Sequence, residues 1–546
     1  MKGEASLSSA DTIANETPAT VSDSGELTAA RQRITAAYDP ALLERAGHRL
    51  VELLAAHLDG AERGLGPVLP WVDPPQGIAR ATALLHRSSG ERRDGPAEKR
   101  ADMVPAPDSP CGVGPSQTDL SDDFAQLVKT MLQRGLNLHN PRYLGHQVPA
   151  PVPLAGLFDA VGSVTNQVMA VYEMGPWATA VEQALIQELG ATIGWAPDTF
   201  AGAVTHGGSL ANLTALLTAR NVALGDVWER GLAGDRPQPV LVTHTDAHYS
   251  VARAAGILGL GSRQIRHVGL DKLGRMDPQK LHDQLAFLRA QNRPIVAVSA
   301  CSCATPTGAF DPLEEIAAVC REHEVWLHVD AAHGGAALLS ERHRHLVAGL
   351  EQADSVTWDA HKMLFVPALC TFVFYRDKSR SFEAFRQDAP YLFDPAAPGL
   401  ADYDSGIRTV ECTKRAATFG LWGVWSLFGR QLFTDMVDVT FDLGRRLYEK
   451  LAAADDFVPL HEPQCNIVVF RHVPNELRDA PSESVGIFQL ELRRRIIESG
   501  EFYIVPLERE GVGALRVTII NPLTTADHLD QLLDAIRRHG RELLQS

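Results

Sequence analysis

An aspartate and a lysine of this chain each follow a run of apolar residues that is typical of a buried β-strand. Asp330 ends the run Val325-Trp-Leu-His-Val-Asp330, and Lys362 comes shortly after Ser355-Val-Thr-Trp. An amine can form a Schiff base with the aldehyde of pyridoxal phosphate, and a carboxylate can keep the ring nitrogen of that cofactor protonated. Neither residue alone would indicate a site, because both types are common. Together, in these settings, they predict a site for pyridoxal phosphate.

The residues next to this pair bear on its chemistry. Lys362 precedes the apolar stretch Met363-Leu-Phe-Val-Pro-Ala-Leu369, and a lysine removed from water loses its proton more easily and becomes the better nucleophile. Asp330 has an alternative interpretation, because an acid at the end of a strand often caps the next helix. If it faces a pyridinium ring instead, the opposite charges hold both groups ionised.

Two further segments could contact the same cofactor. The segment Gly207-Gly-Ser-Leu-Ala-Asn212 opens a helical pattern, so the backbone near Gly208 and the hydroxyl of Ser209 could bind a phosphate at a helix N-terminus. The alternative is a simple tight turn. His248 follows a strand-like run and could stack on the cofactor ring, or it could be a helix cap or a buried histidine. The same alternatives apply to His333.

The periodicity of the chain predicts the scaffold that must position these residues. From about residue 120, helical patterns alternate with short apolar runs, which predicts a mainly parallel sheet with helices on its faces. The predicted helices cover 123–134, 181–193 and 209–224, and the predicted strands cover 239–243, 294–299, 325–329, 355–357 and 369–375. After a helical stretch over 415–451, alternating runs at 466–470 and 514–520 predict a smaller α+β domain.

The residues before this alternation are organised differently. Residues 1–30 are rich in Ser, Thr, Ala and Asp, a composition that buries too little apolar surface to offset the entropy of ordering. Helical spacing predicts a helix over 40–57, and 87–114 is typical of a long connection. The predicted divisions are a flexible tail (1–35), a helical segment with an irregular insertion (36–135), a large domain (136–430) and a small C-terminal domain (431–546).

The composition argues against several classes of protein. The chain has 546 residues, enough for two or three domains. Its net charge of -16 argues against a nucleic-acid partner or an anionic membrane surface. The seven cysteines show neither a disulfide framework nor the CxxC pairs of a zinc site, so we predict no metal and a cytoplasmic location. The sequence shows no signal-peptide pattern and no run long enough to span a membrane.

Several ordered motifs give residues 140–522 a resemblance to a known family. They are Gly207-Gly-Ser209, Thr245-Asp-Ala-His248, His328-Val-Asp-Ala-Ala-His-Gly-Gly335 and Asp359-Ala-His-Lys362. In these motifs the chain resembles the group II pyridoxal-phosphate-dependent amino acid decarboxylases, and most of all their glutamate and cysteine sulfinate decarboxylase branch. The resemblance implies a fold-type I α/β enzyme with a mainly parallel sheet of seven strands.

The resemblance also implies how the cofactor is held. Lys362 is expected to form the Schiff base, Asp330 to hold the ring nitrogen and His248 to stack on the ring. The further cofactor contacts that we expect come from a small residue against the ring, the phosphate loop, a histidine on the phosphate side and a threonine of the 300–306 loop: Ala332, Gly208, Ser209, His361 and Thr305.

Four residues are expected on the substrate side. Tyr391, in Pro390-Tyr-Leu-Phe393, matches the tyrosine of a mobile loop that gives a proton to the substrate carbon after carbon dioxide has left. Arg516 matches an arginine of the C-terminal strand that contacts a substrate carboxylate. Asn166 and His146 fall at positions that line the substrate pocket in this branch. The resemblance thus implies that Tyr391 is catalytic, together with the residues that hold the cofactor.

The chain departs from the family pattern at several of these positions. Cys301, Cys303 and Ala304 stand where the family has threonine or glycine. Asp359 replaces a usual asparagine near the phosphate, where an ionised carboxylate would be repelled unless it is paired or protonated. Gly145-His146 replaces the Asn-Gln of glutamate decarboxylases. These differences weaken the case for glutamate as the substrate.

The implied activity is the decarboxylation of an L-amino acid to an amine and carbon dioxide, with an acidic substrate such as glutamate, aspartate or cysteine sulfinate. Three alternatives stay open. The substrate could be an aromatic, aliphatic or diamino acid such as 2,4-diaminobutyrate; the fold could carry an aminotransferase or an oxidase; or the chain could bind the cofactor without efficient turnover. The resemblance further implies a homodimer with its active site at the subunit interface, and residues 36–110 wrapping the partner.

Overall fold

The computed structural model describes residues 25–85, 120–232, 237–385, 403–509 and 511–545. The chain divides into two compact units, one built from the described parts of residues 1–58 and 92–134, the other from the described parts of residues 59–91 and 135–546. Among these residues, no helix combines the length and the apolar character that crossing a bilayer requires.

The sequence patterns locate five of the fourteen α-helices in the described residues. The helices are α1 (Gly25–Ala37), α2 (Pro40–Glu62), α3 (Pro74–Leu85), α4 (Leu120–Arg134), α5 (Pro153–Val164), α6 (Pro176–Ile193), α7 (Gly208–Leu224), α8 (Val227–Arg230), α9 (Ser250–Ile257), α10 (Pro278–Ala290), α11 (Leu313–Glu322), α12 (Phe419–Ala452), α13 (Ser482–Ser499) and α14 (Ala526–Gln545). The predicted helices are confirmed as α2, α4, α6, α7 and α12, the last with a kink at Gly429. The end of the predicted tail lies in α1, and the predicted connection over 87–114 lies outside the described residues.

The strands belong to two main sheets and one short pair. They are β1 (Val168–Met169), β2 (Ala201–Thr205), β3 (Val240–His244), β4 (Ile265–Val268), β5 (Ile295–Cys301), β6 (Leu327–Asp330), β7 (Ser355–Asp359), β8 (Thr371–Tyr375), β9 (Lys414–Arg415), β10 (Phe457–Pro459), β11 (Ile467–His472), β12 (Val505–Arg509) and β13 (Val512–Thr518). β1 pairs with β9. The predicted runs are confirmed as β3, β5, β6, β7, β8, β11 and β13, whereas the sequence analysis did not identify β2 and β4.

The larger sheet has seven strands in the order β2-β8-β7-β6-β5-β3-β4. β8 runs antiparallel to both of its neighbours, β2 and β7, and the pairs from β7 to β4 are parallel. Every residue of β3, β5, β6, β7 and β8 is buried, because helices cover both faces of a parallel sheet and leave no side of a strand for water. The fold-type I α/β architecture is confirmed.

The smaller sheet has the antiparallel order β10-β11-β13-β12. One face of α14 supplies Leu529, Leu532, Leu533 and Ile536 to its core, at the spacing that places them on one side of a helix. Phe470 and Leu515 enter the same core from the sheet. This is the small α+β arrangement that the alternating runs predicted.

Candidate active site

The carboxyl ends of the parallel strands form the site. Asp330 is the last residue of β6, Cys301 is the last of β5, and these two residues face each other in the strand register. Asp359 likewise ends β7. A cavity of about 330 Å³ opens at this edge, where ligands of open α/β sheets usually bind. Eight of the predicted site residues line it: Gly208, Ser209, His248, Thr305, Asp330, Ala332, His361 and Lys362.

Lys362 forms an ion pair with a carboxylate that the sequence analysis treated as a departure. Its Nζ lies 3.0 Å from Oδ2 of Asp359, and Oδ1 of Asp359 accepts a hydrogen bond of 2.7 Å from Thr371 Oγ1. Burial would raise the pKa of Asp359, but Lys362 and His361 hold it below its usual value. Burial likewise opposes the charge of Lys362, but Asp359 and Asp330 raise its pKa. The carboxylate is therefore ionised and paired.

Asp330 is held in place by one amide and one backbone group. Its Oδ2 accepts a hydrogen bond of 2.7 Å from Asn212 Nδ2, and its Oδ1 accepts one of 3.1 Å from the backbone N–H of Ala332. Each carboxylate oxygen has two acceptor positions. One position on each oxygen is therefore left for a donor in the cavity.

Asn212 connects Asp330 to two other buried side chains. Its Nδ2 also donates to Ser250 Oγ at 2.9 Å, and Ser250 Oγ lies 2.8 Å from Nδ1 of His248. Its Oδ1 lies 3.0 Å from Nε2 of His328. Because an amide oxygen only accepts, His328 must donate through Nε2. We call these five residues the Asp330 network.

Both histidines of the Asp330 network are kept neutral. Burial lowers the pKa of His328 to about 4, and burial is also the main reason why the pKa of His248 lies below its usual value. Sequence reasoning missed Asn212, Ser250 and His328 as contributors to the site. The available signal was that Asn212 stands one helical turn after Gly208, inside the same motif.

A turn at the start of α7 lines the cavity with Gly207 and Gly208. Gly207 has a φ of 109°, a backbone conformation that strains any residue with a side chain. A Cβ atom at Gly208 would lie 2.9 Å from Oδ1 of Asp359, so this close approach also requires glycine. Nδ1 of His361 lies 2.9 Å from the carbonyl oxygen of Cys370, and its Nε2 lies 3.6 Å from Oδ2 of Asp359.

Arg516 is buried with part of its guanidinium unpaired. Arg516 is only 6% exposed. Within the described ranges, neither its Nε nor its Nη2 has a hydrogen-bond partner. Burial lowers its pKa, and the nearby groups of Cys303, Cys465 and Tyr143 act in the opposite direction. A buried charge without partners is costly. The position is therefore suited to an anion that arrives with a ligand.

His146 lies beside Arg516 at the margin of this region. Its backbone N–H donates to the hydroxyl of Tyr143 at 3.1 Å, and its ring centroid is 5.9 Å from that of Tyr503. Burial and the charge of Arg516 lower the pKa of His146. Neither His146 nor Arg516 lines the 330 Å³ cavity itself, although Cys303, which neighbours Arg516, does.

Asn166 also does not line this cavity, and one predicted residue falls outside the described part of the chain. Asn166 follows α5 on the exposed surface of the chain, with a φ of 50°, so its pocket role stays a prediction. Tyr391 lies outside the described residues. The loop after β5 supplies Thr305, and its Cys303 has a φ of 76°, which glycine adopts most readily.

Comparison with known proteins decides the family. The model of the pyridoxal-dependent decarboxylase conserved domain matches residues 111–473. The chain belongs to this family. The mouse acidic amino acid decarboxylase is 31% identical over 77% of this chain and 78% of its own length. The rat cysteine sulfinic acid decarboxylase is 32% identical over 78% of this chain and 88% of its own length.

Solved structures agree with this membership. The crystal structure of mouse CSAD superposes with a TM-score of 0.78 at 28% identity, covering 92% of this decarboxylase and 99% of that chain. The Oryza sativa TDC structure with PLP and tryptamine has a TM-score of 0.78 at 21% identity, over 92% of this chain and 99% of that one, a likeness of fold. The chain is thus a pyridoxal-phosphate-dependent amino acid decarboxylase.

The residues of this decarboxylase fit its cofactor. An amine and a carboxylate with free acceptor positions line one cavity, as a Schiff base and a protonated ring nitrogen require. The space beside Gly208 is one that a single Cβ would fill. The negative charge of Asp359, which could have repelled a phosphate, is balanced by Lys362 at 3.0 Å.

Proposed function

We propose that this decarboxylase acts on an acidic L-amino acid. The observation that supports this most directly is the buried guanidinium of Arg516, of which Nε and Nη2 have no partner among the described residues. A substrate side chain that ends in a carboxylate or a sulfinate would supply the missing acceptors, since Arg binds such groups through two parallel N–H bonds. Relatives named as acidic amino acid and cysteine sulfinic acid decarboxylases add support.

We propose the following roles for the residues that hold the cofactor. Lys362 would bind it covalently, and Asp330 would keep the proton on its ring nitrogen. His248 would stack on the ring, with Ala332 and Thr305 as further contacts, and the phosphate would lie at the N-terminus of α7. The contacts expected there are Gly208, Ser209 and His361. When bound, pyridoxal phosphate supplies the electron sink for the pair released as the carboxylate leaves Cα.

The protein's own contribution is to position and protect the reacting groups. The Asp330 network fixes the carboxylate through Asn212 at 2.7 Å and keeps His328 neutral, so the positive charge at the ring nitrogen has one stable partner. Arg516 and His146 would orient the substrate side chain, which decides which bond at Cα is aligned for cleavage. Tyr391 would deliver the proton to Cα, a role that follows from the resemblance of its loop.

We also propose a homodimer. The surface of α5 exposes Leu157 (45%), Val161 (56%) and Val164 (65%), which stand at helical spacing and form an apolar stripe. Exposed apolar patches of this kind mark protein interfaces. Asn166 follows the stripe directly, so a partner that covers α5 would bring Asn166 to the interface, where its pocket role becomes possible. From the family resemblance, we also propose that residues 36–110 wrap the partner.

A cytoplasmic location is part of this proposal. Six cysteines are free in the described residues, and the sulfurs of Cys303 and Cys465 lie 3.6 Å apart without a bond. Free thiols this close persist in a reducing compartment.

Turnover of a substrate panel tests the function. Purified protein with pyridoxal phosphate is incubated separately with aspartate, glutamate, cysteine sulfinate, an aromatic amino acid and 2,4-diaminobutyrate, and the amine products are identified by mass spectrometry. We expect amine from at least one acidic substrate. For the aromatic amino acid and 2,4-diaminobutyrate, we expect kcat/KM to be at least about tenfold lower. A preference for an aromatic or diamino acid would overturn the proposal, and an absence of carbon dioxide release from every amino acid would show a protein without efficient turnover.

A further inference from the structure

Three buried side chains that the mechanism does not use meet beside the active site. His244 ends β3, Cys301 ends β5, and Asp311 lies in the segment that leads from β5 to α11. One ligand atom of each lies within 4.8 Å of those of the other two. The side chains of His244 and Asp311 are 0% and 1% exposed. An imidazole, a thiol and a carboxylate therefore converge on one buried point.

The imidazole of His244 has no ordinary hydrogen bond in this position. Neither ring nitrogen has a hydrogen-bond partner within the part of the chain that the structure describes, although Nε2 lies 3.2 Å from Oδ2 of Asp311. Buried polar atoms are rarely left unsatisfied. Two ligands of a tetrahedral Zn²⁺ ion, bound at about 2.0–2.2 Å, lie roughly 3.3 Å apart. The contact between His244 and Asp311 has this ligand-to-ligand separation.

The carboxylate of Asp311 is oriented as a metal ligand would be. Its Oδ1 accepts a hydrogen bond of 2.7 Å from the backbone N–H of Met276, and its Oδ2 accepts one of 2.7 Å from that of Cys301. Carboxylates that bind metals are usually fixed by such outer hydrogen bonds.

We propose that His244, Cys301 and Asp311 bind one Zn²⁺ ion. A set of nitrogen, sulfur and oxygen donors suits this borderline ion, whereas Mg²⁺ and Ca²⁺ prefer oxygen alone. Binding replaces the proton of the Cys301 thiol, and that of His244 where the ring is charged, and releases these protons to solvent. Cys301 also lines the main cavity, so the fourth ligand is a water reached from there.

The ion would be structural. It joins the ends of β3 and β5 to the segment between Cys301 and Asp311, which carries Cys303 and Thr305 into the active-site cavity. The sequence analysis predicted no metal because the chain lacks paired CxxC motifs. A site whose ligands stand on separate elements leaves no such spacing.

Metal analysis of the holoenzyme tests this site without any substrate. Protein purified without a histidine tag and with bound pyridoxal phosphate is analysed for zinc by mass spectrometry, and a metal-depleted sample is titrated with Co²⁺. We expect about one zinc per chain and, with Co²⁺, the near-ultraviolet absorption of a thiolate-to-cobalt bond. Failure of the depleted wild-type protein to bind either ion, or a cobalt spectrum without the thiolate band, would overturn the proposal whatever the substrate tests show.

Variants assign the ligands. Cys301→Thr and His244→Asn should each weaken zinc binding by more than about 100-fold. Loss of a residue that only hydrogen-bonds to a metal ligand weakens binding by up to about 100-fold, and loss of a ligand itself should cost more. Cys320→Ala is the matched control, because Cys320 is also a buried free thiol but stands outside the cluster, and its zinc content should equal that of the wild type. Equal zinc in the Cys301 and His244 variants would contradict the assignment. Circular dichroism shows whether each variant is folded, and a misfolded variant leaves the decision to the cobalt spectrum of the wild type.

Discussion

Two buried charged side chains near the active site differ in their hydrogen bonding. Asp330 has a partner on each carboxylate oxygen, whereas Arg516 has two nitrogens without one among the described residues. A network that is already satisfied holds its geometry before any ligand arrives. An unsatisfied guanidinium gains its partners only when a ligand binds. The proposed cofactor side of the site is therefore built into the fold, and the proposed substrate side would be completed by the substrate.

The largest effect should follow from removing the charge of Asp330. Asp330→Asn keeps the shape of the side chain but no longer holds a proton on the ring nitrogen, so we expect kcat to fall by at least about 100-fold. Steady-state kinetics measures the change, and the absorbance of the bound cofactor shows that it is retained. A kcat close to that of the wild type, with full cofactor content, would remove Asp330 from its proposed role.

Removal of Arg516 should have the next largest effect. Arg516→Met loses hydrogen bonds to a charged group worth about 2 kcal/mol, or roughly 30-fold in kcat/KM for an acidic substrate. Most of this change should appear in KM. Arg471→Met is the matched control, because Arg471 stands on β11 of the same sheet and donates to the carbonyl of Gly513. Equal losses in the two variants would indicate a structural effect instead.

A smaller effect should follow from breaking the Asp330 network at Asn212. Asn212→Ala leaves His328 without its acceptor and Asp330 without its amide donor, which costs about 1–3 kcal/mol in stability and about tenfold in kcat. The decisive measurement is the pH at which the absorbance of the bound cofactor changes. Asn221→Ala is the control, because Asn221 is buried on the same helix but bonds to Glu383. The Asn221→Ala variant should be less stable, but the pH at which the cofactor absorbance changes should equal that of the wild type. If this pH is also unchanged in Asn212→Ala, Asn212 does not position Asp330.

The smallest effect concerns the dependence of stability on pH. Burial lowers the pKa of His328 from 6.5 to about 4, so the unfolded chain binds more protons between these values. The contribution of His328 to the free energy of unfolding is complete above pH 6.5. It decreases toward pH 4 by about 1 kcal/mol per pH unit. Urea unfolding at about pH 7 and about pH 5 measures the slope. His328→Gln can still donate to Asn212 and should show a shallower slope; a slope equal to that of the wild type would contradict the assignment.

The parts of the site that follow from local sequence were predicted. Strand-like runs end at Asp330 and near Lys362, and the carboxyl ends of parallel strands meet at one edge of a sheet, so two residues far apart in sequence could be placed together. Gly208 could be predicted because a close approach of backbone requires glycine. Asp359 was recognised as a departure, but only the structure shows that Lys362 pairs with it.

Other contributions could not be predicted. Asn212, Ser250 and His328 act through hydrogen bonds between separate elements, and no spacing in the sequence records such distances. The same holds for the meeting of His244, Cys301 and Asp311. The sequence analysis did not single out the runs of β2 and β4. Their places in the sheet come from pairing with β8 and β3.

The sequence by itself determined the alternation of helices and strands and the order of the motifs, because apolar periodicity and backbone demands are local properties. It therefore determined the fold class, and the motifs, through their resemblance to a family, predicted the cofactor and the lysine that would bind it. The tertiary structure alone decided which polar groups satisfy one another. Hydrogen bonds and ion pairs depend on distances of a few ångströms between distant parts of the chain. Only the fold therefore shows that the carboxylate of Asp330 has hydrogen-bond partners, whereas two nitrogens of Arg516 have none among the described residues.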